Sequence, residues 1–201
     1  SPMSRGLGDV YKRQANIVYE DAAIDQAVEG VVNGIFFNQG HVCCAGSRLL
    51  LQESIHDEFI TKLEKRMQTL RVGNPLDKNT DIGAVNSKEQ LNKIEELVNE
   101  GVSDGGKIFQ TECELPGNGF WFKPTLFTDV QPSYSIAREE IFGPVLTTLT
   151  FRTPQEAIEI ANNTEYGLSA GVWTEKGSKI LWTADRLSLI HISEPTRHRR
   201  I

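Results

Sequence analysis

The stretch NQGHVCCAGSR, Asn38 to Arg48, sets Cys43 and Cys44 side by side between Gly40 and Gly46. Neighbouring thiols in that setting admit several chemistries. Cysteine is a common small core residue, so packing alone explains a random pair. A disulfide between sequence neighbours is strained, which disfavours a redox bridge. His41, Cys43 and Cys44 offer three metal ligands close together, but no second Cys/His cluster completes a tetrahedral zinc site and Cys113 stands alone, so no metal is expected. A nucleophilic thiol needs an exposed tight turn, backbone N–H donors and small neighbours. Gly40, Ala45 and Gly46 supply that setting around Cys43.

The elements that must position this stretch follow from periodicity. ANIVY (Ala15 to Tyr19) suits a buried strand, after which Glu20 and Asp21 open a helix with Ile24, Val28, Val31, Val32 and Ile35 on one face. The cysteines follow the end of that helix, near Phe36 to Gly40, and precede a strand, RLLLQ (Arg48 to Gln52). A second amphipathic helix is predicted from His56 to Leu70, then a loop from Val72 to Val85. A third helix follows Ser87, with Gln90 at the capping-box position and Leu91, Ile94 and Leu97 inward. Lys107 to Gln110, Trp121 to Phe127, Val145 to Phe151 and Leu168 to Thr174 read as strands. Thr153 to Ala161, with Pro154 in its first turn, and Lys176 to Arg186 read as helices. Strands alternating with amphipathic helices predict an α/β fold, a mostly parallel sheet flanked by helices on both faces.

The chain has 201 residues, 39% hydrophobic and 24% charged, enough for one domain with a substantial core. No apolar run approaches the roughly 20 residues that span a bilayer, and three cysteines make no disulfide framework, so a cytoplasmic protein is expected. The ends behave differently from the middle. Ser4 to Gln14 (SRGLGDVYKRQ) and Leu187 to Arg197 (LSLIHISEPTR) can be encoded by opposite strands of one DNA segment, codon against codon, a match with no protein-level explanation. Residues 1–14 and 187–201 are therefore read as translated sequencing adapter, and 15–186 as the natural polypeptide. Each flank carries a formal charge of +2, so setting both aside takes the net charge from -6 to -10. That acidity disfavours nucleic acid or an anionic membrane surface as a partner.

FFNQGHVCCAGSR (Phe36 to Arg48) resembles the active-site segment of the NAD(P)-dependent aldehyde dehydrogenases, whose nucleophile stands three residues after the glycine. On that spacing it is Cys43, with Cys44 in the position of a small packing residue. EEIFGPV (Glu139 to Val145) is similar to the family's nicotinamide-ribose segment. The likeness implies a ribose-binding carboxylate at Glu140 and an aromatic near the nicotinamide at Phe142. ANNTEYGLSAGV (Ala161 to Val172) resembles a third family block, and all three occur in family order at family spacing. Gln90 and Lys93, on one face of the third helix, match positions that approach the cofactor's ribose in relatives. The family usually has Gln or Glu where this chain has His41. GHVCCAG together with RVGNPLDKNTDIGA is similar to a smaller branch, the group numbered sixteen, some of whose animal members lack the cysteine that this chain keeps.

The resemblance implies oxidation of an aldehyde to a carboxylic acid with NAD or NADP, NAD being favoured, through a cysteine thiohemiacetal and a thioester. Residues 15–186 would be a partial catalytic domain of a protein that is a homo-oligomer when full length. The family's general-base glutamate, its oxyanion asparagine and most of its dinucleotide-binding domain would precede Ala15, so the 201 residues alone are expected to be inactive. The rival reading is a non-catalytic scaffold or binding protein of the same ancestry. Neither the aldehyde nor the choice between NAD and NADP is written in this stretch, because the residues that decide them fall outside it in the family.

Overall fold

The computed structural model describes residues 15–164, 169–188 and the backbone of 191–193. Seven strands form one sheet: β1 (Ala15–Val18), β2 (Arg48–Gln52), β3 (Lys107–Gln110), β4 (Thr125–Thr128), β5 (Val145–Phe151), β6 (Ser169–Trp173) and β7 (His191–Ser193), in the order β3-β4-β5-β2-β1-β6-β7. All neighbours run parallel except β3 against β4. The helices are α1 (Ile24–Phe36), α2 (His56–Met67), α3 (Lys88–Ser103), the short α4 (Ser135–Arg138), α5 (Pro154–Asn162) and α6 (Gly177–Arg186).

Central strands buried on both faces explain the apolar run RLLLQ. Leu49 and Leu51 point to one side and Leu50 to the other, and all three are fully buried. On the first side α1 brings Val28, Val31, Val32 and Ile35, and α2 brings Phe59, Leu63 and Met67, against Val18, Leu126 and Leu146. On the second side α3 and α5 bring Ile94, Leu97, Val98, Ala157 and Ile158 against Ile17, Phe127, Leu149 and Val172. The mostly parallel sheet flanked by helices is thus the architecture that the alternation predicts.

Local departures have local causes. The strand expected from Trp121 begins only at Thr125, because Pro124 has no N–H for a ladder. Glu20 and Asp21 do not cap α1, which starts at Ile24 without a side-chain cap. Instead Asp21 accepts hydrogen bonds from Thr174 Oγ1 and Lys179 Nζ, both at 2.8 Å. Ser87 does cap α3, accepting from the Gln90 N–H at 3.1 Å, but the Gln90 side chain turns elsewhere. β7 lies within the terminal stretch set apart on sequence grounds. Its backbone pairs with Ser169–Gly171 of β6, which three residues of almost any type can do. Leu168, expected to begin β6, lies outside the described residues.

Candidate active site

The chain leaves α1 through a left-handed turn. Asn38, Gln39 and Gly40 have φ of 49°, 56° and 74°, a conformation that L-residues other than glycine adopt at a cost. Side chains hold it in place: Asn38 Nδ2 donates to the His41 carbonyl at 3.2 Å, and Gln39 Oε1 accepts from the Gly83 N–H at 3.2 Å. The turn delivers the chain to a second one, in which the Val42 carbonyl accepts from the Ala45 N–H at 3.0 Å. Cys43 and Cys44 are its two central residues, so both side chains point outward and both are exposed. For Cys43 that is the setting expected of a nucleophile. Cys44 is not packed as a small filler, because the second central position of such a turn also faces solvent.

Beyond the cysteines the chain is tied down firmly. The Ser47 carbonyl accepts from the Thr147 N–H at 2.9 Å and from its hydroxyl at 3.1 Å. Arg48, only 3% exposed, donates from Nη2 to Ala161 O at 2.9 Å and from Nη1 to Ile160 O at 3.3 Å, binding the carbonyl end of α5. Burial pushes its pKa down to about 10, which leaves it charged at neutral pH. Asn16 on β1 packs its amide against Gly46. Periodicity marks neither Asn16 nor Arg48 as a site residue, since each reads as one more strand position.

The segment Glu139 to Val145 meets this turn backbone to backbone. A Cβ on Gly40 would collide with the Gly143 carbonyl, so the two glycines permit an approach that no other residue allows. Phe142, itself at φ 52°, stacks its ring on the His41 ring with centroids 5.1 Å apart and planes 3° from parallel. The ring of His41 is half-buried, and burial lowers its pKa. Its buried Nε2 has no hydrogen-bond partner among the described residues. Glu140 is half-buried. Gln90, also half-buried, donates from Nε2 to Ile141 O at 2.8 Å and Phe142 O at 3.1 Å, while Lys93, one turn along α3, is exposed.

Cys43, His41, Glu140, Phe142 and Gln90 therefore belong to two abutting loops and the start of one helix. All lie at the amino ends of β2 and β5. Among the described residues no three His, Cys, Asp or Glu side chains gather as a metal site, and no helix is long and apolar enough to cross a membrane. A cavity of about 830 Å³, bordered by Ser135, Arg138, Glu139 and Asn163, lies on the α4 side and does not include Cys43.

Comparison with known proteins gives this arrangement a context. The profile of the aldehyde dehydrogenase family matches residues 13–195. Retinal dehydrogenase 2 of Taeniopygia guttata is 45% identical over 172 residues, 84% of this chain and 33% of that protein. The solved structure of an NAD-dependent aldehyde dehydrogenase from Sinorhizobium meliloti superposes with a TM-score of 0.88 at 39% identity, covering 91% of this chain and 37% of the other. A Staphylococcus aureus betaine aldehyde dehydrogenase solved in complex with NAD+ gives 0.87 at 36% identity, covering 94% and 38%. The chain thus spans between a third and two fifths of the length of these relatives. With the match running through nearly all of it, the chain belongs to the aldehyde dehydrogenase family.

Proposed function

We propose that the chain is part of the catalytic domain of an enzyme that oxidises an aldehyde to a carboxylic acid with NAD(P), NAD being favoured, and that Cys43 is the nucleophile. The junction of the two loops carries this reading. Gly40, three residues before Cys43, touches Gly143, one residue after Phe142, so the exposed thiol and the Glu140–Phe142 segment share one edge of the sheet. The residues suit a nicotinamide nucleotide: a half-buried carboxylate at Glu140 matches ribose hydroxyls, and the ring of Phe142 matches a flat heteroaromatic face. When bound, the dinucleotide accepts the hydride.

The chain's own part is covalent. The Cys43 thiolate adds to the aldehyde carbon, giving a thiohemiacetal whose oxyanion is met by the Cys43 N–H and by a side-chain amide supplied from outside this stretch. Loss of hydride leaves a thioester on Cys43 Sγ. Water activated by a carboxylate, again from outside the stretch, releases the acid and regenerates the thiol. With those two partners elsewhere, the 201 residues alone do not turn over. In the full-length protein, Cys43→Ala is expected to lower aldehyde-dependent NAD reduction by on the order of 10⁴-fold or more, as loss of a covalent nucleophile does. Iodoacetamide is expected to modify Cys43 before Cys44. Full-length protein that binds NAD yet oxidises none of a panel of aldehydes, or that alkylates first at Cys44, would overturn the reading.

The same proposal takes residues 1–14 and 187–201 as adapter-derived, and the intact protein as a cytoplasmic homo-oligomer with no nucleic-acid or membrane partner. His41, standing where the family usually has Gln or Glu, supports membership of the branch numbered sixteen.

A further inference from the structure

Phe142 is held from three directions. Its φ of 52° is left-handed, a costly state for a residue with a bulky side chain. Gln90 Nε2 spans two successive carbonyls, those of Ile141 and Phe142, which a pleated backbone would point to opposite sides. The His41 ring covers the Phe142 ring, and the next residue, Gly143, is pressed against Gly40. Both hydrogens of the Gln90 amide are thereby committed, so Gln90 has none left to donate to a ribose hydroxyl. Ile94, one turn beyond Gln90 on α3, closes on Gly143 from the same side.

We infer that Gln90 and His41 are positioning residues that lock the Phe142 ring where it meets the nicotinamide, Gln90 through the backbone carbonyls and His41 through the ring face. The inference rests on the dehydrogenase reading for the identity of the ligand, but the lock itself is a property of this chain. Gln90→Glu keeps the side chain's shape and turns a double donor into an acceptor facing two carbonyls. Gln90→Met keeps the shape and removes the donor without adding charge. His41→Phe keeps the stack, and His41→Ala removes it.

Two measurements test the lock. In the 201-residue chain, the His41 ring protons should resonate upfield under the Phe142 ring current, and Phe142→Leu should abolish the shift. Gln90→Glu and Gln90→Met should abolish it too, although residue 90 carries no ring. In the full-length protein, Gln90→Glu should weaken NAD binding roughly tenfold, as loss of two hydrogen bonds does. His41→Ala should weaken it about three- to tenfold, and His41→Phe should restore it to within about threefold. Persistence of the His41 shift in both Gln90 variants would overturn the lock. So would unchanged NAD affinity in a Gln90 variant whose His41 shift is lost. Failure of the wild-type full-length protein to bind NAD would instead overturn the dehydrogenase reading, leaving the ring-current result to decide the lock alone.

Discussion

The two edges of the parallel sheet are finished in opposite ways. At the carboxyl edge, where β1, β2, β5 and β6 end, side chains close on one another. The Tyr19 N–H donates to Trp173 O at 3.0 Å, its ring meets Phe151 edge-on at 5.4 Å, and its hydroxyl lies 2.9 Å from Thr183 Oγ1. Asp21 binds Lys179 and Thr174, and Arg152 reaches Glu53 at 2.8 Å. The amino edge is held by hydrogen bonds between side chains and backbone and by strained turns. Three of the four non-glycine residues with positive φ in the described chain are there, Asn38, Gln39 and Phe142. So are both buried side-chain nitrogens that lack a partner among the described residues, His41 Nε2 and Arg48 Nε. Open α/β sheets commonly bind ligands at the carboxyl ends of their strands. Here the paired, closed edge is the carboxyl one, and strain collects at the other, beside the exposed thiols, as it does where structure is held for function.

Breaking the amino edge should cost most. Gly40→Ala demands a left-handed alanine whose methyl group collides with the Gly143 carbonyl, and an expected loss of roughly 2–4 kcal/mol would appear in urea denaturation. The same substitution should change the alkylation rate of Cys43, because the left-handed turn that ends at Gly40 delivers the chain to the 42–45 turn that exposes the thiol. At the carboxyl edge Asp21→Asn removes a charge from a largely buried ion pair and should cost about 1–2 kcal/mol, without altering Cys43 alkylation. An effect of Asp21→Asn on that rate equal to the effect of Gly40→Ala would abolish the distinction between the edges. Gly34 sharpens the point from the opposite side. It lies inside α1 with nothing within 4 Å of an added methyl group, and Gly34→Ala should stabilise by about 0.5–1 kcal/mol.

How much of this was legible in the sequence divides along the same line. β2 and β5 fall on the residues that periodicity selects, since a doubly buried strand is an apolar run ended by turn formers, and β3, an exposed edge strand, was marked by the turn formers on either side of it. The exposed turn around Cys43 was legible because Gly40, Ala45 and Gly46 are local signals of it. Gln90 was not: its position three residues after Ser87 suggests a capping box, yet the Ile141 and Phe142 carbonyls, distant in sequence, take its amide. Nor could spacing show that Asp21 would pair with Lys179 rather than cap α1. The union of the cysteine turn with the Glu140–Phe142 loop came only from family likeness, because two glycines meeting backbone to backbone leave no pattern in the chain between them.

The smallest expected effect separates the edges by acid. Burial holds the His41 pKa below its ordinary 6.5, so over the interval beneath 6.5 the unfolded chain binds a proton that the folded chain does not. The stability from neutral His41 is therefore complete above pH 6.5 and is lost as pH falls from there through the folded value. Burial pushes the Asp21 pKa up, but hydrogen bonds from Lys179 and Thr174 outweigh it and hold the carboxyl below 3.8. Its contribution persists above 3.8 and is lost only as pH falls past that value. Acid should consequently loosen the amino edge before the carboxyl edge. With the intrinsic slowing of amide exchange in acid divided out, protection of the Ala45 N–H should fall at a pH where protection at Tyr19 and Trp173 holds, and His41→Phe should remove that early phase while leaving the later one. Simultaneous loosening of both edges in the wild type, or an early phase that survives His41→Phe, would mean that the His41–Phe142 stack does not set the acid response of the cysteine turn.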